Sequence, residues 1–250
     1  MTEIPLSHPR YHSLKLRERL LVGLKAKLAS EAGLLAHGRG EAFDYLLGET
    51  TRDFAIEAIG AASAYLLLAR RPVFSVNGNS ASLAGAELVA FAAAFDAVAL
   101  EVNLFHHSPE RSARIAEHLR SLGATRVVES ATDAAIALPG IASARRNMNP
   151  DGLAAADVVV VALEDGDRCQ ALVEAGRTVI AIDLNPMSRT ARMAHVSITD
   201  ELTRAIPLLA AQLARDRGAS RDELAGRIAP YDNRTVLNRA IATIRTGAAG

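Results

Sequence analysis

The spacing of apolar residues predicts a helical N-terminal part. Leucines recur at helical intervals among lysines and arginines in residues 13–32, which indicates an amphipathic helix. A second, alanine-rich helix is predicted over residues 50–70, with Thr50 or Thr51 as its cap. The pair Arg71-Pro72 ends it, since a residue that precedes proline avoids the helical conformation.

After Pro72 the pattern changes to short β-branched runs that alternate with helical segments. The run DVVVVAL at residues 157–163 is continuously apolar, as is typical of a strand buried on both faces of a parallel sheet. Helices are predicted over residues 82–95 and 168–174, with another opened by Ser108-Pro109-Glu110. Strands are predicted at residues 72–76, 97–102, 126–129, 157–163, 178–183 and 196–198.

Alternating strands and helices predict an α/β fold with a parallel sheet flanked by helices. The segment after residue 200 is again helical in pattern. We expect a single α/β domain over residues 1–250. Its helical N-terminal part covers about 1–70, its sheet core about 71–200, and its C-terminal helices about 201–245.

Composition narrows the function classes. The chain has 28 basic and 28 acidic side chains, and this balance disfavours a nucleic-acid-binding domain, which is normally basic. A lone cysteine, Cys169, forms no intrachain disulfide, and neither a secretory signal nor an apolar run long enough for a membrane span is present. We therefore expect a soluble cytoplasmic protein with no nucleic-acid or membrane partner.

Ligands of open α/β sheets bind beyond the carboxyl ends of the strands, and three such segments are polar here. SVNGNS at residues 75–80 is either an anion cradle of backbone N–H groups or a plain Asn-Gly turn. LEDGDR at residues 163–168 is either a Mg²⁺ site or a helix start with acidic residues that complement the helix dipole. IDLNPMSRTAR at residues 182–192 offers an Asp for ribose and arginines for phosphate, or is a structural turn.

Other segments exclude familiar chemistries. HGRGEAF resembles the start of a dinucleotide fingerprint but has Phe43 at the third glycine and follows no strand. Neither a phosphate-binding P-loop nor a G-x-S-x-G nucleophile elbow is present. Cys169 lies beside Arg168, which favours a lowered thiol pKa, but no histidine lies nearby in sequence to serve as a base, so we expect Cys169 to have no chemical role. The residues alone thus indicate an α/β protein that binds a nucleotide and a second anion.

Long motifs at these positions resemble one family, the archaeal 4-phosphopantoate–beta-alanine ligases, also called phosphopantothenate synthetases. The motifs are HPRY (residues 8–11), AHGRGEAFDYLLGE (36–49), SVNGN (75–79), EVNLF (101–105), LEDGDR (163–168) and IDLNPMSRTAR (182–192). The resemblance implies a Rossmann-like homodimer of coenzyme A biosynthesis. Its members join 4-phosphopantoate to beta-alanine with ATP and Mg²⁺, and they release AMP and diphosphate.

The resemblance also implies site residues. ATP contacts fall on Arg17, Arg39, Asp183, Leu184, Asn185, Arg189, Thr190, Glu201 and Leu202. Arg39, Arg189 and Asn77 are the expected catalytic residues. Phosphopantoate is assigned to Arg10, Asn77, Asn79, Asn103 and Arg111, and Mg²⁺ to Glu164 and Asp165.

Two departures from the family pattern affect these assignments. Glu201 stands where the family usually has Asn, so only a backbone contact is expected to persist there. His106-His107 replaces the usual Tyr-Arg pair, which leaves Arg111 or Arg145 as substitute phosphate ligands. Two alternatives remain open at this point: an ADP-forming kinase of pantoate-like acids, and a non-catalytic nucleotide-sensing module.

Overall fold

Three helices precede the sheet in the computed structural model, which describes residues 4–104, 108–129, 136–138 and 147–247. They are α1 (Tyr11–Lys25), α2 (Glu31–Leu47) and α3 (Asp53–Leu68). The helix predicted over residues 13–32 is therefore wrong at its C-terminal end. The chain turns at Lys27, whose φ is +59°, and the Ser30 side chain accepts the Gly33 N–H to start α2.

The glycine-containing segment of residues 36–43 consequently lies inside α2 rather than in a loop. The predicted cap of α3 is also wrong. Arg52 occupies the N-cap position without a side-chain hydrogen bond, and the Thr51 hydroxyl donates to Asp200 Oδ2 at 2.6 Å instead.

The main sheet is parallel and six-stranded, which confirms the predicted α/β class. Its strands lie in the spatial order β3-β2-β1-β6-β7-β8, with pairs such as Val73 opposite Ala99 and Phe74 opposite Val160. The strands are β1 (Pro72–Val76), β2 (Ala99–Val102), β3 (Val127–Val128), β6 (Val158–Ala162), β7 (Thr178–Ile182) and β8 (Val196–Ile198). A separate antiparallel pair joins β4 (Ile136–Ala137) to β5 (Asn147–Met148).

This strand order is that of the Rossmann fold. The first half of the sheet grows outward from β1 through β2 to β3, and the second half grows the other way from β6. The order reverses between β1 and β6, so a crevice opens beyond the carboxyl ends of these two strands. That crevice is where the fold places a ligand.

Caps explain why two helices begin earlier than predicted. In the described part of the chain, seven helices follow β1: α4 (Gly78–Ala94), α5 (Pro109–Ser121), α6 (Gly166–Glu174), α7 (Arg189–Met193), α8 (Leu202–Asp216), α9 (Arg221–Ile228) and α10 (Asn233–Thr246). Asn77 and Ser80 form a capping box that starts α4 directly after β1. Asp165 caps α6 by accepting the Arg168 N–H.

The alanine-rich face of α3 is buried inside the chain. Ala55, Ala58 and Ala62 are fully buried, and α3 packs against α8, α9 and β8. This face therefore has no apolar area left to supply to a dimer interface. Within the described ranges, no helix is both long and apolar enough to cross a bilayer.

Candidate active site

A cavity of about 330 Å³ lies at the switch point between β1 and β6, with α2 on its other side. It brings together six of the residues that the sequence assigned to catalysis, phosphopantoate or metal. Its polar lining includes Arg39, Asn77, Asn79, Arg111, Glu164 and Asp165. The fold thus joins the loops after β1 and β6 at one place, as the rule for open α/β sheets requires.

Asn77 ties these two loops together. Its side-chain oxygen accepts the Ser80 N–H at 2.9 Å, while its Nδ2 donates to the Ala162 carbonyl, at the end of β6, at 2.8 Å. The residue is only 8% exposed. Both ends of the amide are therefore engaged within the protein, and Asn77 holds the shape of the cavity wall.

Asn79 joins the β1 loop to α2. Its Nδ2 donates to the Gly33 carbonyl at 2.8 Å. A Cβ added at Gly33 would collide with the Asn79 amide, and a Cβ at Gly78 would collide with the Leu28 carbonyl. Two glycines therefore allow the N-terminal helices to lie directly against the start of α4.

The acidic loop after β6 is neutralised from within. The Glu164 carboxylate forms an ion pair with Arg168, and the two side chains are 2% and 1% exposed. Glu164 Oε1 also accepts the Asp165 N–H at 3.0 Å, and Asp165 Oδ1 accepts the Arg168 N–H at 2.8 Å. Arg168 Nη1 also donates to Ser75 Oγ, at the end of β1, at 3.0 Å.

These contacts do not fit a preformed magnesium site. Mg²⁺ takes oxygen ligands in near-ideal octahedral geometry, whereas Glu164 faces a buried guanidinium and Asp165 caps a helix. In the part of the chain that the structure describes, no three His, Cys, Asp or Glu side chains are grouped to hold a metal ion. The assignment of Mg²⁺ to Glu164 and Asp165 stays a prediction that this geometry does not favour.

The loop after β7 is also internally bonded. Asp183 Oδ1 accepts the Asn185 N–H at 3.0 Å, and Asp183 Oδ2 accepts the Ser188 hydroxyl at 2.5 Å. Asn185 Oδ1 accepts the Met187 N–H at 2.9 Å. Burial raises the pKa of Asp183, although its two donors oppose the shift.

The start of α7 connects this loop to the acidic one. The buried Thr190 donates its hydroxyl to the Glu164 carbonyl at 2.8 Å. Its neighbour Arg189 is exposed and contacts Asp167 and Gln170, outside the switch-point cavity. A Cβ at Gly166 would lie 2.5 Å from the Arg189 Cβ, so this glycine allows α6 and α7 to approach.

A second, narrower crevice lies at the ends of β7 and β8. Leu184, Glu201 and Leu202 line it together with His37 and Gly40 of α2, and its volume is about 20 Å³. Glu201 caps α8, since its carboxylate accepts the Thr203 N–H at 2.7 Å and the Thr203 hydroxyl. Burial raises the pKa of Glu201. The side chain of Glu201, which stands where the family usually has Asn, is thus hydrogen-bonded within its own helix.

Arg10 and Arg17 lie together on the outer side of α1. Arg17 forms a two-pronged ion pair with Glu41 of α2, with both Nε–Oε1 and Nη2–Oε2 at 2.9 Å. Arg10 lies 3.6 Å from the same carboxylate. They line a separate cavity of about 420 Å³, with Tyr45 and Leu46. Arg10 is therefore placed beside Arg17, not with the asparagines of the switch point.

Known proteins match this chain over most of its length. The model of the phosphopantothenate/pantothenate synthetase family matches residues 54–247. The chain belongs to this family. Its members are ligases, and this chain is a ligase.

Three archaeal relatives carry the name 4-phosphopantoate–beta-alanine ligase. The Methanosarcina mazei protein is 47% identical over 98% of this chain and 95% of its own. The Thermococcus onnurineus protein is 47% identical over 98% and 93%, and the Methanospirillum hungatei protein is 50% identical over 83% of each chain. The resemblance read from the motifs is thereby confirmed.

Sequence reasoning missed an ion network that joins α2 to the end of β8. Arg204 of α8 donates to Asp44 of α2 at 3.2 Å and to Asp200 at 2.9 Å, so it fastens α2 to the end of β8. The four-residue spacing of Asp200 and Arg204 was the available signal. Asp44 lies 160 positions from Arg204, and no local pattern links them.

Glu101 of β2 was also missed. It is fully buried, and its Oε2 accepts the Leu153 N–H at 2.6 Å. Burial raises its pKa to about 7.

Asn103, two residues after Glu101, is 2% exposed, and its Nδ2 donates to the Asn147 carbonyl at 3.4 Å. Asn103 is absent from the lining of the switch-point cavity.

The lone cysteine is buried, as a residue without a chemical role can be. Burial, followed by the nearby carboxylates of Glu164 and Asp165, raises the pKa of Cys169 to about 12, and Arg168 only partly opposes this. The thiol is therefore unreactive. His106, His107 and the substitute ligand Arg145 lie outside the described residues.

Proposed function

We propose that this chain is the ATP-dependent ligase that joins 4-phosphopantoate to beta-alanine, giving 4-phosphopantothenate for coenzyme A biosynthesis. The observation that carries the proposal is the switch-point cavity with Arg39 at its wall. It is supported by relatives of that name that align over nearly their whole length.

The proposed ligands of the ATP phosphates are arginines that can exchange their present partners for a phosphate at little cost in free energy. Arg39 is exposed and has no ion-pair or hydrogen-bond partner among the described residues. Arg189 and Arg17 hold carboxylates at the surface, with side chains 54% and 44% exposed. Such surface pairs contribute about 0.2–1 kcal/mol, so a triphosphate can displace them.

ATP is proposed to lie along the ends of β7 and β8, close to Asp183, Leu184, Asn185 and Thr190. The backbone at Glu201 and Leu202 adds contacts at the start of α8. Phosphopantoate would occupy the switch-point cavity near Asn79 and Arg111, with Asn77 acting as the residue that fixes the cavity wall. Asn103 and Arg10 are assigned to the same substrate, although neither lines that cavity.

The proposed reaction has two steps. A carboxylate oxygen of phosphopantoate attacks the α-phosphorus of ATP, and the bond from that phosphorus to the bridging oxygen breaks, releasing diphosphate. The neutral amine of beta-alanine then attacks the acyl carbon, AMP departs with the carboxylate oxygen, and the nitrogen loses a proton. Arg39 and Arg189 would stabilise charge on the phosphates and align the reactants, which requires no covalent nucleophile from the protein.

Product analysis tests the reaction. The chain should consume ATP only with both other substrates and form AMP, diphosphate and phosphopantothenate in equal amounts. Formation of ADP would indicate a kinase, and absence of turnover with all substrates present would contradict the ligase. Oxygen-18 placed in the phosphopantoate carboxylate should appear in AMP, and its absence there would exclude the acyl-adenylate.

Matched arginine variants test the site. Arg39→Ala should lower kcat/KM by about 100-fold or more, since a charge-assisted contact made in the transition state contributes about 3 kcal/mol. Arg114→Ala is the control, because Arg114 is exposed on α5 and does not line the cavity. Equal loss in both variants would remove Arg39 from its proposed role.

A homodimer is proposed as well. Several large apolar side chains on α1 and α2 are exposed and could be covered by a second copy: Leu21, Val22, Leu35, Tyr45 and Leu46. Light scattering on the eluting protein should give twice the mass of 26.4 kDa. A monomer at micromolar concentration would contradict this.

A further inference from the structure

The narrow crevice at the ends of β7 and β8 contains a histidine to which no role has been assigned. His37 of α2 faces Leu184 of the β7 loop and the start of α8 across this crevice. The crevice volume of about 20 Å³ accommodates about one water-sized group. A small polar group of a ligand can therefore enter it, whereas an aromatic ring cannot without movement of the walls.

The imidazole has an unused hydrogen-bonding atom. His37 is 8% exposed, and its Nε2 is buried without a hydrogen-bond partner among the described residues. Buried polar atoms of proteins are nearly always paired, because leaving one unpaired costs free energy. His37 Nε2 lies at the wall of a crevice, where a ligand group can supply the partner.

The acidic side chains at this edge are already engaged. Asp200 accepts from Thr51 and Arg204, and Glu201 accepts from Thr203. Asp183, on the adjoining loop, accepts from Asn185 and Ser188. The acidic groups that would ordinarily receive ribose hydroxyls are therefore satisfied, and His37 remains.

The position of His37 is held by α2. Asp44 lies seven residues further along the helix, close to the same face, and its ion pair with Arg204 fastens α2 to α8. Gly40, between them, lies against Leu184, which a Cβ there would meet at 3.6 Å. The imidazole is thus presented to the crevice by a fixed element.

We propose that His37 Nε2 hydrogen-bonds a ribose hydroxyl of the bound nucleotide and makes His37 a specificity residue for the sugar. This inference rests on the proposed function, in which the loops after β7 and β8 hold ATP. A hydroxyl both donates and accepts, so it satisfies either tautomer of a neutral imidazole.

The electrostatic surroundings favour the sugar over the phosphates. Burial lowers the pKa of His37, with Arg17 adding to the shift and Glu41 and Asp44 opposing it. The side chain is therefore neutral near pH 7 and is a poor partner for a triphosphate. The exposed Arg39, two residues along α2, supplies the cation instead.

Calorimetric titration of the full chain with ATP, 2′-deoxy-ATP and 3′-deoxy-ATP tests the proposal. The wild type should bind ATP about tenfold more tightly than one of the two deoxy analogues, the loss expected for one buried hydrogen bond. His37→Leu should bind all three alike. His37→Gln, whose amide nitrogen reaches close to the Nε2 position, should retain most of the discrimination.

The control is His118→Leu, because His118 is a half-buried histidine on α5 whose pKa is also lowered by burial and which lies away from the crevice. It should discriminate as the wild type does. The melting temperature of His37→Leu should equal or exceed that of the wild type, since an unpaired buried nitrogen is removed; a purely structural histidine would lower it. His37→Phe serves the same purpose if the leucine variant does not fold.

The failures are distinguishable. Unchanged ATP affinity and unchanged analogue discrimination in the His37→Leu and His37→Phe variants would overturn this inference and leave the ligase intact. A wild type that does not bind ATP would overturn both the nucleotide site and the role of His37.

Discussion

The buried carboxyl of Glu101 predicts a specific pH dependence of stability. Its two oxygens accept the Leu153 N–H at 2.6 Å and the Asn149 N–H at 3.4 Å. Burial raises its pKa from 4.5 to about 7, although these bonds and the charge of Arg168 oppose the shift. The substitution that isolates this carboxyl is Glu101→Gln, because glutamine has nearly the same shape as glutamic acid but does not titrate.

The sign of the effect follows from proton binding. Between pH 4.5 and 7 the folded chain holds a proton on Glu101 that the unfolded chain has lost. The free energy of unfolding therefore falls as pH rises through this interval. A pKa difference of roughly 2.5 units, at about 1.4 kcal/mol for each unit, gives a contribution of about 3.5 kcal/mol when the whole interval is crossed.

Other groups titrate in the same interval, so the quantity to measure is a difference. The lowered pKa values of His37, His118 and His195 make stability rise with pH below 6.5, which masks Glu101 in the wild type alone. Subtracting the Glu101→Gln variant removes these shared contributions. The variant should be the less stable protein at pH 5, because its amide NH₂ faces a backbone N–H that loses its acceptor.

Urea unfolding followed by circular dichroism at pH 5, 6, 7 and 8 provides the assay. The free energy of unfolding of the wild type minus that of Glu101→Gln should decrease by about 2.5 kcal/mol between pH 5 and pH 8, because part of the effect already lies below pH 5. A difference that stays constant across this range would refute the reasoning, because Glu101 would then titrate alike in both states.

Three further predictions concern buried groups. Arg204→Lys should lower the free energy of unfolding by about 2–3 kcal/mol in urea titrations, because a lysine cannot bridge Asp44 and Asp200 together. Glu164→Gln should lower the free energy of unfolding by about 3 kcal/mol in the same assay, since it leaves the buried Arg168 charge without its carboxylate partner. Its half-saturating Mg²⁺ concentration for activity should stay unchanged; a large increase would place the ion on Glu164. Cys169 should resist thiol reagents in native buffer and react fully in urea.

Much of the sheet could be predicted because its signal is local. DVVVVAL is apolar on both faces, and the strand Val158–Ala162 lies inside it. Helix starts were less accurate because the cap residues also belong to loops that look functional. Asn77 and Asp165 were interpreted as substrate and metal ligands, and the structure places them at the N-caps of α4 and α6.

The partners of charged side chains could not be predicted. LEDGDR contains three carboxylates within four residues. Arg168 at its end nevertheless forms an ion pair with Glu164 and donates a hydrogen bond to Ser75 of β1. Asp44 and Arg204 meet only because tertiary folding brings α2 near the first turn of α8. Spacing predicts pairs one helical turn apart, whereas pairs joined by tertiary folding carry no periodic signal.

A polar atom left unpaired is therefore better evidence for a ligand than a cluster of polar residues. The carboxylates of Glu164, Asp183 and Glu201 attracted functional assignments, and each has a donor within the chain. His37 attracted none, because a histidine within a helix carries no sequence signal, and yet its buried Nε2 lacks a partner in the described ranges. Folding normally satisfies buried polar groups, so an unpaired atom is most informative where it also lines a crevice. His37 Nε2 meets both conditions, whereas Glu87 Oε2 and Arg177 Nε, which also lack a partner among the described residues, line neither the crevice nor the switch-point cavity.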